Sequence, residues 1–143
     1  MTDDSQPISV LLVEDDPGDV VLIEEAFEHN KVRNSLKIVG DGVEAMAYLR
    51  AEDSARPDLV LLDLNLPRKD GRELLAEIKQ DPAIRRIPVI VLTTSSAIED
   101  IRNCYDLYAN CYIIKPVDLD ELFRVIRAIH EFWFGIVRLP TAE

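Results

Sequence analysis

Residues 59–71 of this 143-residue chain read Leu-Val-Leu-Leu-Asp-Leu-Asn-Leu-Pro-Arg-Lys-Asp-Gly. The first four residues are apolar, which is the pattern of a short strand that is covered on both faces of a sheet. Asp63 ends this run, and a turn containing Pro67 and Gly71 follows it. In open α/β sheets ligands bind outside the carboxyl ends of the strands. This stretch therefore predicts a reactive acid at a binding edge.

Four other apolar runs alternate with amphipathic segments along the chain. The predicted strands are Ile8–Val13, Leu36–Val39, Leu59–Leu62, Val89–Leu92 and Cys111–Ile114. The predicted helices are approximately Pro17–Asn30, Val43–Ala51, Arg72–Gln80, Ala97–Ala109 and Asp118–Phe134. Regular alternation of strand and helix favours right-handed crossovers, and hence an α/β fold with a doubly wound parallel sheet.

Composition and charge exclude several classes of function. With 48% hydrophobic and 30% charged residues, residues 1–143 are expected to form one globular domain. We expect a flexible N-terminus at 1–6, a C-terminal extension at 135–143 and no output domain. The net charge of −11 argues against direct binding of nucleic acid, because phosphates would be repelled. The acidic N-terminus and the lack of an apolar run of roughly 18 residues predict a cytoplasmic protein without membrane contact.

The last predicted helix carries two apolar stripes. One contains Leu119, Leu122, Ile126, Ile129 and Trp133, and the other contains Val125, Ala128 and Phe132. A single domain needs only one stripe to cover its sheet, and the apolar tail after the helix must also pack back or meet a partner. We therefore expect a homodimer, with Val125, Phe132 and Trp133 as candidate interface residues.

Polar residues also end three of the other apolar runs. Glu14 and Asp15 follow the first, Thr93 ends the fourth, and Lys115 ends the fifth. If these strands lie in one parallel sheet, two acids, a hydroxyl and an ammonium are brought to the same edge as Asp63. Phosphoryl transfer to a carboxylate requires such charge neutralisation and in-line positioning. The arrangement is typical of a phosphoryl-accepting aspartate.

The acidic residues are also suited to Mg²⁺, which prefers oxygen ligands and uses only one or two protein carboxylates. Asp15 and Asp63 are the predicted direct ligands, with the backbone carbonyl of Asn65, and Glu14 is expected to act through water. Taken alone, each acid also fits a helix start or a turn. Together they would repel one another unless a cation relieved the charge.

Lys115 is predicted to pair with Asp63 before phosphorylation. Taken alone, Lys115 also fits an edge lysine and Thr93 fits a strand end. The Lys115–Pro116 bond is a candidate cis peptide, since X–Pro bonds are those in which the cis form is cheap. Spacing alone predicts that Tyr112 is a half-buried packing residue.

Four ordered motifs resemble the receiver domain of two-component response regulators. They are Leu-Leu-Val-Glu-Asp-Asp at 11–16, Leu-Leu-Asp-Leu-Asn-Leu-Pro-Arg-Lys-Asp-Gly at 61–71, Pro-Val-Ile-Val-Leu-Thr-Thr at 88–94 and Tyr-Ile-Ile-Lys-Pro at 112–116. The resemblance implies a flavodoxin-like (βα)5 fold with strand order 2-1-3-4-5. It also implies that Asp63 is the phosphoacceptor and that Glu14 and Asp15 are the acidic pair around Mg²⁺.

The same resemblance assigns roles to three further residues. It implies that Thr93 is the switch hydroxyl, that Lys115 is the family's site lysine, and that Tyr112 changes rotamer with Thr93. It implies a sensor histidine kinase as partner, and residues 131–140 resemble the tail of regulators paired with phytochrome-type kinases. Such a protein is not an enzyme beyond catalysing its own phosphorylation and dephosphorylation.

Two other functions stay open at this level. One is a phosphorylation-independent interaction module with a relic site, although a relic has no reason to keep all five polar groups. The other is an enzyme on the same fold. A flavin or nucleotide protein would place a Gly-rich or Ser-rich segment after the first strand, where this chain has acids. A haloacid-dehalogenase-like phosphatase needs an aspartate where Asn65 stands.

Overall fold

Five strands and five α-helices alternate in the computed structural model, which describes residues 8–29, 34–52 and 56–140. The strands are β1 (Ile8–Val13), β2 (Asn34–Val39), β3 (Leu59–Leu62), β4 (Val89–Thr93) and β5 (Cys111–Ile114). The helices are α1 (Pro17–His29), α2 (Gly42–Arg50), α3 (Gly71–Gln80), α4 (Ile98–Asp106) and α5 (Leu119–Ile129). A short π-helix, His130–Phe134, continues α5. The predicted N-terminal segment 1–6 lies outside the described residues.

All five strands are parallel and lie in the order β2-β1-β3-β4-β5. This order confirms the predicted flavodoxin-like winding. The chain steps from β1 outward to β2 and then returns to the other side of β1, so the switch point lies between β1 and β3. In the register, Val13 is opposite Leu62 and Leu62 is opposite Val91. The residues after these strands therefore leave the sheet at the same edge.

Apolar layers cover both faces of the sheet. One layer joins β-strand residues to buried side chains of α2, α3 and α4, among them Leu11, Val60, Leu75, Val91 and Cys104. The other joins the alternate strand residues to α1 and α5, among them Val10, Leu61, Phe27 and Ile126. Every residue of β3 and β4 is buried. This double coverage explains why those strands are apolar at successive positions instead of alternating.

Most helix boundaries lie within one residue of the prediction, but α4 and α5 end three or more residues early. Helix α4 ends at Asp106 instead of Ala109, because Tyr108 adopts a φ of 71°, a left-handed conformation that cannot continue a right-handed helix. The segment predicted as one helix to Phe134 is α-helical only to Ile129. Leu119, a member of the first apolar stripe, is 42% exposed, while the next three members of that stripe are buried. No helix in the described part of the chain is long and apolar enough to cross a membrane.

Gly71, the first residue of α3, lies against the backbone of the loop after β3. Its amide donates to the carbonyl of Leu64 at 2.9 Å. A methyl group added at Gly71 would lie 2.6 Å from the Cα of Leu64, and it would also collide with the carbonyl oxygen of Asp63. Only a residue without a side chain permits this approach. Helix α3 therefore supports the segment that carries Asp63.

We expect Gly71→Ala to lower the free energy of unfolding by about 1 to 3 kcal/mol, because the added methyl overpacks the loop. Urea denaturation measures the loss. Gly18→Ala is a matched control in α1, where the nearest atom to the added methyl is a side-chain oxygen of Asp16 at 3.7 Å. That control should be as stable as the wild type or slightly more stable, since alanine favours the helix. Equal stability of the two variants would contradict the contact.

Candidate functional site

Four buried polar residues meet at the carboxyl-terminal edge of the sheet. Glu14 follows β1, Asp63 follows β3, Thr93 ends β4 and Lys115 follows β5. Each side chain is almost completely removed from solvent. Buried polar groups are stable only when they are hydrogen-bonded or paired. Their contacts therefore define the chemistry of this edge.

Asp63 is held by three donors. The Thr93 hydroxyl donates to Asp63 Oδ1 at 2.8 Å, and the backbone amide of Asn65 donates to the same oxygen at 3.3 Å. Lys115 Nζ donates to Asp63 Oδ2 at 3.3 Å. Oδ1 thus accepts from two neutral donors. Of these three donors, only the ammonium contacts Oδ2, and that contact is long. The predicted pairing of Lys115 with Asp63 is present.

Lys115 also contacts two other acids. Its Nζ lies 2.8 Å from Glu14 Oε1 and 2.8 Å from Asp19 Oδ2. Burial lowers the pKa of Lys115, but the hydrogen bonds to Asp19 and Glu14 outweigh that effect and raise it above its usual value. Burial raises the pKa of Glu14 to about 7, although the hydrogen bond from Lys115 opposes this. The ammonium therefore stays charged, and the acids around it outnumber it.

The Lys115–Pro116 bond is not cis, since none of the peptide bonds between described residues is. That prediction was wrong. The Lys115 amide donates to the carbonyl of Thr93 at 2.6 Å, so the pairing between β4 and β5 extends as far as Lys115. Strand pairing already delivers the ammonium to the edge of the sheet.

The oxygen atoms of the site suit a magnesium ion. Glu14 and Asp63 lie in the buried cluster, while Asp15 is exposed in the same loop as Glu14. Within the described ranges, no three His, Cys, Asp or Glu side chains are grouped closely enough to hold a metal by themselves. Mg²⁺ does not require such a cage, because it keeps several waters and accepts one or two carboxylates. The predicted donor set, which consists of the Asp15 and Asp63 carboxylates and the Asn65 carbonyl, fits that preference.

A second polar network holds the loop that follows Thr93. The Ser95 hydroxyl donates to Asp100 Oδ2 at 2.6 Å, and Arg72 donates to both oxygens of Asp100 at 2.9 Å. The Tyr112 hydroxyl donates to the Ser95 carbonyl at 2.9 Å. The hydrogen bonds from Arg72 and Ser95 lower the pKa of Asp100 to about 2. The loop that follows Thr93 is thereby tied to α3, α4 and β5.

Sequence reasoning located Glu14, Asp63, Thr93 and Lys115 at this edge but missed Asp19. The signal that could have found Asp19 is its place in the first turn of the helix predicted directly after Glu14 and Asp15. In the second network, Asp100 lies 28 residues from Arg72 and 5 residues from Ser95 in the sequence. No local pattern joins α3 to α4, so only the packed structure reveals that contact.

A family model described as "Response regulator receiver domain" matches residues 10–127. This chain belongs to the response regulator receiver domain family. It is 48% identical over 147 residues to response regulator Rcp1 of Synechocystis sp. (strain ATCC 27184 / PCC 6803 / Kazusa), covering 99% of this chain and 100% of Rcp1. As a receiver-type response regulator, it belongs to two-component signalling, in which phosphoryl acceptance is the activity expected of the family.

Solved structures of relatives have the same fold. The phosphorylated cyanobacterial phytochrome response regulator RcpA gives a TM-score of 0.91 at 51% identity, covering 95% of this chain and 100% of RcpA. The Mn²⁺-bound form of Rcp1 gives a TM-score of 0.89 at 47% identity, covering 94% of this chain and 100% of that one. The receiver fold of this chain is thus matched over nearly its whole length.

We expect Asp100→Asn to lower the free energy of unfolding by about 1 to 2 kcal/mol near neutral pH, because it removes the carboxylate that Arg72 and Ser95 bind. The folded pKa of Asp100 is depressed, so its contribution is present above its ordinary pKa of 3.8 and is lost as the pH falls toward about 2. Urea denaturation at several pH values should show the two proteins converging in acid.

Glu99→Gln provides the control, because Glu99 is an exposed neighbour in the same first turn of α4. Its removal should leave stability within about 0.5 kcal/mol of the wild type. A difference between Asp100→Asn and the wild type that stays constant from neutral pH into acid would argue against the ion pair.

Proposed function

We propose that this chain is a stand-alone response regulator that accepts a phosphoryl group from a histidine kinase on Asp63, in a Mg²⁺-dependent reaction. The observation that carries the proposal is the buried carboxylate of Asp63, bonded to Thr93 and facing Lys115 at the switch point of the sheet. Similarity to Rcp1 over the full length of that relative supports the same kind of signalling role. Phosphorylation then alters a protein-interaction face.

Asp63 is the nucleophile in this reaction. One of its carboxylate oxygens attacks the phosphorus atom, the bond from phosphorus to the donor's nitrogen or oxygen breaks, and the leaving group keeps the electron pair. The ammonium of Lys115 offsets the negative charge of the phosphoryl oxygens. The hydroxyl of Thr93, which now donates to Asp63, becomes free to donate to the phosphoryl group instead.

Mg²⁺ when bound neutralises charge on the phosphoryl oxygens and on the acids beside them. Asp15, Asp63 and the carbonyl of Asn65 would hold the ion, and Glu14 would act through a water. Burial is the main cause of the raised pKa of Glu14, and the negative charge of Asp63 raises it further; a bound cation would relieve that second effect. A divalent cation is also consistent with the Mn²⁺-bound form of Rcp1.

The second network offers a route from the site to the surface. Movement of Thr93 toward a phosphoryl group displaces Ser95, whose carbonyl holds the Tyr112 hydroxyl. Release of that contact lets Tyr112 change rotamer, as the resemblance implies. The face of α4 and β5 would change in consequence. Its exposed apolar side chains are Ile98, Tyr105, Tyr108 and Ile114.

The proposed kinase partner is of the phytochrome type, by similarity to the phytochrome response regulator RcpA. The net charge of −11 favours a protein partner over nucleic acid. We place the reaction in the cytoplasm, since Cys104 and Cys111 are both free thiols, as expected in a reducing compartment. Beyond its own phosphorylation and dephosphorylation, the chain has no proposed enzymatic activity.

Incubation with acetyl phosphate and Mg²⁺ should add one phosphoryl group to the wild type and none to Asp63→Asn, because the amide is not a nucleophile. Intact-protein mass spectrometry measures the adduct, and chelation of the metal should abolish it. Asp106→Asn, an exposed aspartate at the end of α4, is the control and should be phosphorylated normally. Labelling of Asp63→Asn at the wild-type level would show that another residue is the acceptor.

We also propose that the chain forms a homodimer through an apolar groove along α5, β5 and the π-helix. The groove has a volume of about 340 Å³ and is lined by Ile113, Val125, Ala128, Ile129, Phe132 and Trp133. Phe132 is 51% exposed, and its ring meets the edge of Trp133 at 5.7 Å between centroids. A second copy would cover this surface with the same residues, as an isologous contact requires.

Phe132→Asp should convert the dimer to monomer, because a carboxylate would be buried without a partner at a desolvated contact. Sedimentation velocity with and without beryllofluoride, a mimic of the aspartyl phosphate, measures the oligomeric state and whether it depends on phosphorylation. Val43→Asp is the control, since Val43 is half exposed in α2 on the other face of the sheet. A wild type that sediments as a monomer in both conditions would refute the homodimer.

A further inference from the structure

Asp19 belongs to a helix, whereas the four other polar groups of the site lie at the ends of strands. It lies in the first turn of α1, and its carboxylate accepts a hydrogen bond from Lys115 Nζ at 2.8 Å. This contact is as short as the one with Glu14 and shorter than the 3.3 Å contact with Asp63. In the structure, the ammonium is therefore bound more closely by the two acids of the β1–α1 region than by the phosphoacceptor.

We propose that Asp19 is a positioning residue that competes with the phosphoryl oxygens for the ammonium of Lys115 and so limits how fully the site is phosphorylated. The inference rests on the proposed function, because it requires Asp63 to carry the phosphoryl group. Asp19 contacts neither Asp63 nor a reacting atom in the structure, and it acts through Lys115.

The competition follows from the position of the Lys115 ammonium between three acids. Lys115 has three N–H groups, and three carboxylates now accept from them. When Asp63 is phosphorylated, one carboxylate is replaced by an acyl phosphate whose oxygens carry more negative charge. The N–H that now donates to Asp63 can pass to a phosphoryl oxygen, but Nζ lies 0.5 Å nearer to Glu14 and Asp19 than to Asp63, so a close approach to the phosphoryl group lengthens one of the two shorter contacts.

Burial decides which contact yields. The Glu14 side chain is 2% exposed, so losing the ammonium would leave a buried carboxylate without its charge partner. The Asp19 side chain is 29% exposed, so water can replace the ammonium there. Asp19 is thus the partner that Lys115 gives up, and the strength of their pairing opposes phosphorylation.

Asp19→Asn tests the proposal, because it keeps the shape of the side chain and removes its charge. We expect the variant to bind beryllofluoride about threefold to fivefold more tightly than the wild type at saturating Mg²⁺, a gain typical of releasing a partly exposed ion pair. Titration followed by fluorine NMR gives the affinities. The steady-state fraction phosphorylated by acetyl phosphate should rise in parallel.

Three further variants separate this role from general effects of charge. Glu25→Gln removes one exposed charge from α1 and should leave the affinity unchanged. Asp19→Glu should restore the wild-type affinity to within about twofold. In a Lys115→Met background, Asp19→Asn should have no further effect, because the ammonium for which it competes is absent. If circular dichroism shows that Lys115→Met is unfolded, the proposal is tested by the difference in beryllofluoride affinity between Asp19→Asn and Asp19→Glu.

An unchanged or weakened affinity in Asp19→Asn would overturn the proposal, as would an equal gain in Glu25→Gln. A gain that persists in the folded Lys115→Met background would also overturn it, since the effect would not pass through Lys115. These outcomes differ from failure of the proposed function itself. In that case the wild type would neither bind beryllofluoride nor accept a phosphoryl group.

Discussion

One buried ammonium holds together acids that would otherwise repel one another at the edge of the sheet. The side chain of Lys115 is only 6% exposed, and its Nζ is shared by Glu14, Asp19 and Asp63. Removing one charge from such a cluster leaves its partners buried without a counter-charge. This lowers the stability of the fold far more than the loss of a surface ion pair does. The parallel register of β1, β3, β4 and β5 makes this cluster possible, because it brings their ends to one place.

The sequence was sufficient to locate the groups that follow buried strands. β3 and β4 are buried at every position, so their apolar runs are easily recognised and their ends mark Asp63 and Thr93. The strand order came from the family resemblance, and the observed order matches it. The site residues were thus predictable where a buried apolar strand directly precedes them in the sequence.

Features that depend on packing between distant elements were not predictable in this way. The contact of Asp19 with Lys115 joins residues 96 apart in sequence. The early end of α4 arises from the left-handed backbone of Tyr108, and tyrosine carries no propensity signal for that conformation. The cis peptide was expected from the presence of proline alone, whereas the continued pairing of β5 with β4 already sets the direction of Lys115.

The π-helix at His130–Phe134 changes which side of the chain its aromatic residues face. A π turn contains more residues than an α turn, so every side chain beyond it is rotated about the helix axis relative to an uninterrupted α-helix. Phe132 and Trp133 reach the same groove as Val125 with this rotation in place. Insertion or deletion of one residue in this segment would shift the angular phase of the aromatic pair. Under the proposed homodimer, related regulators that differ in this way would present the same rings to a different partner surface, with an unaltered phosphorylation centre.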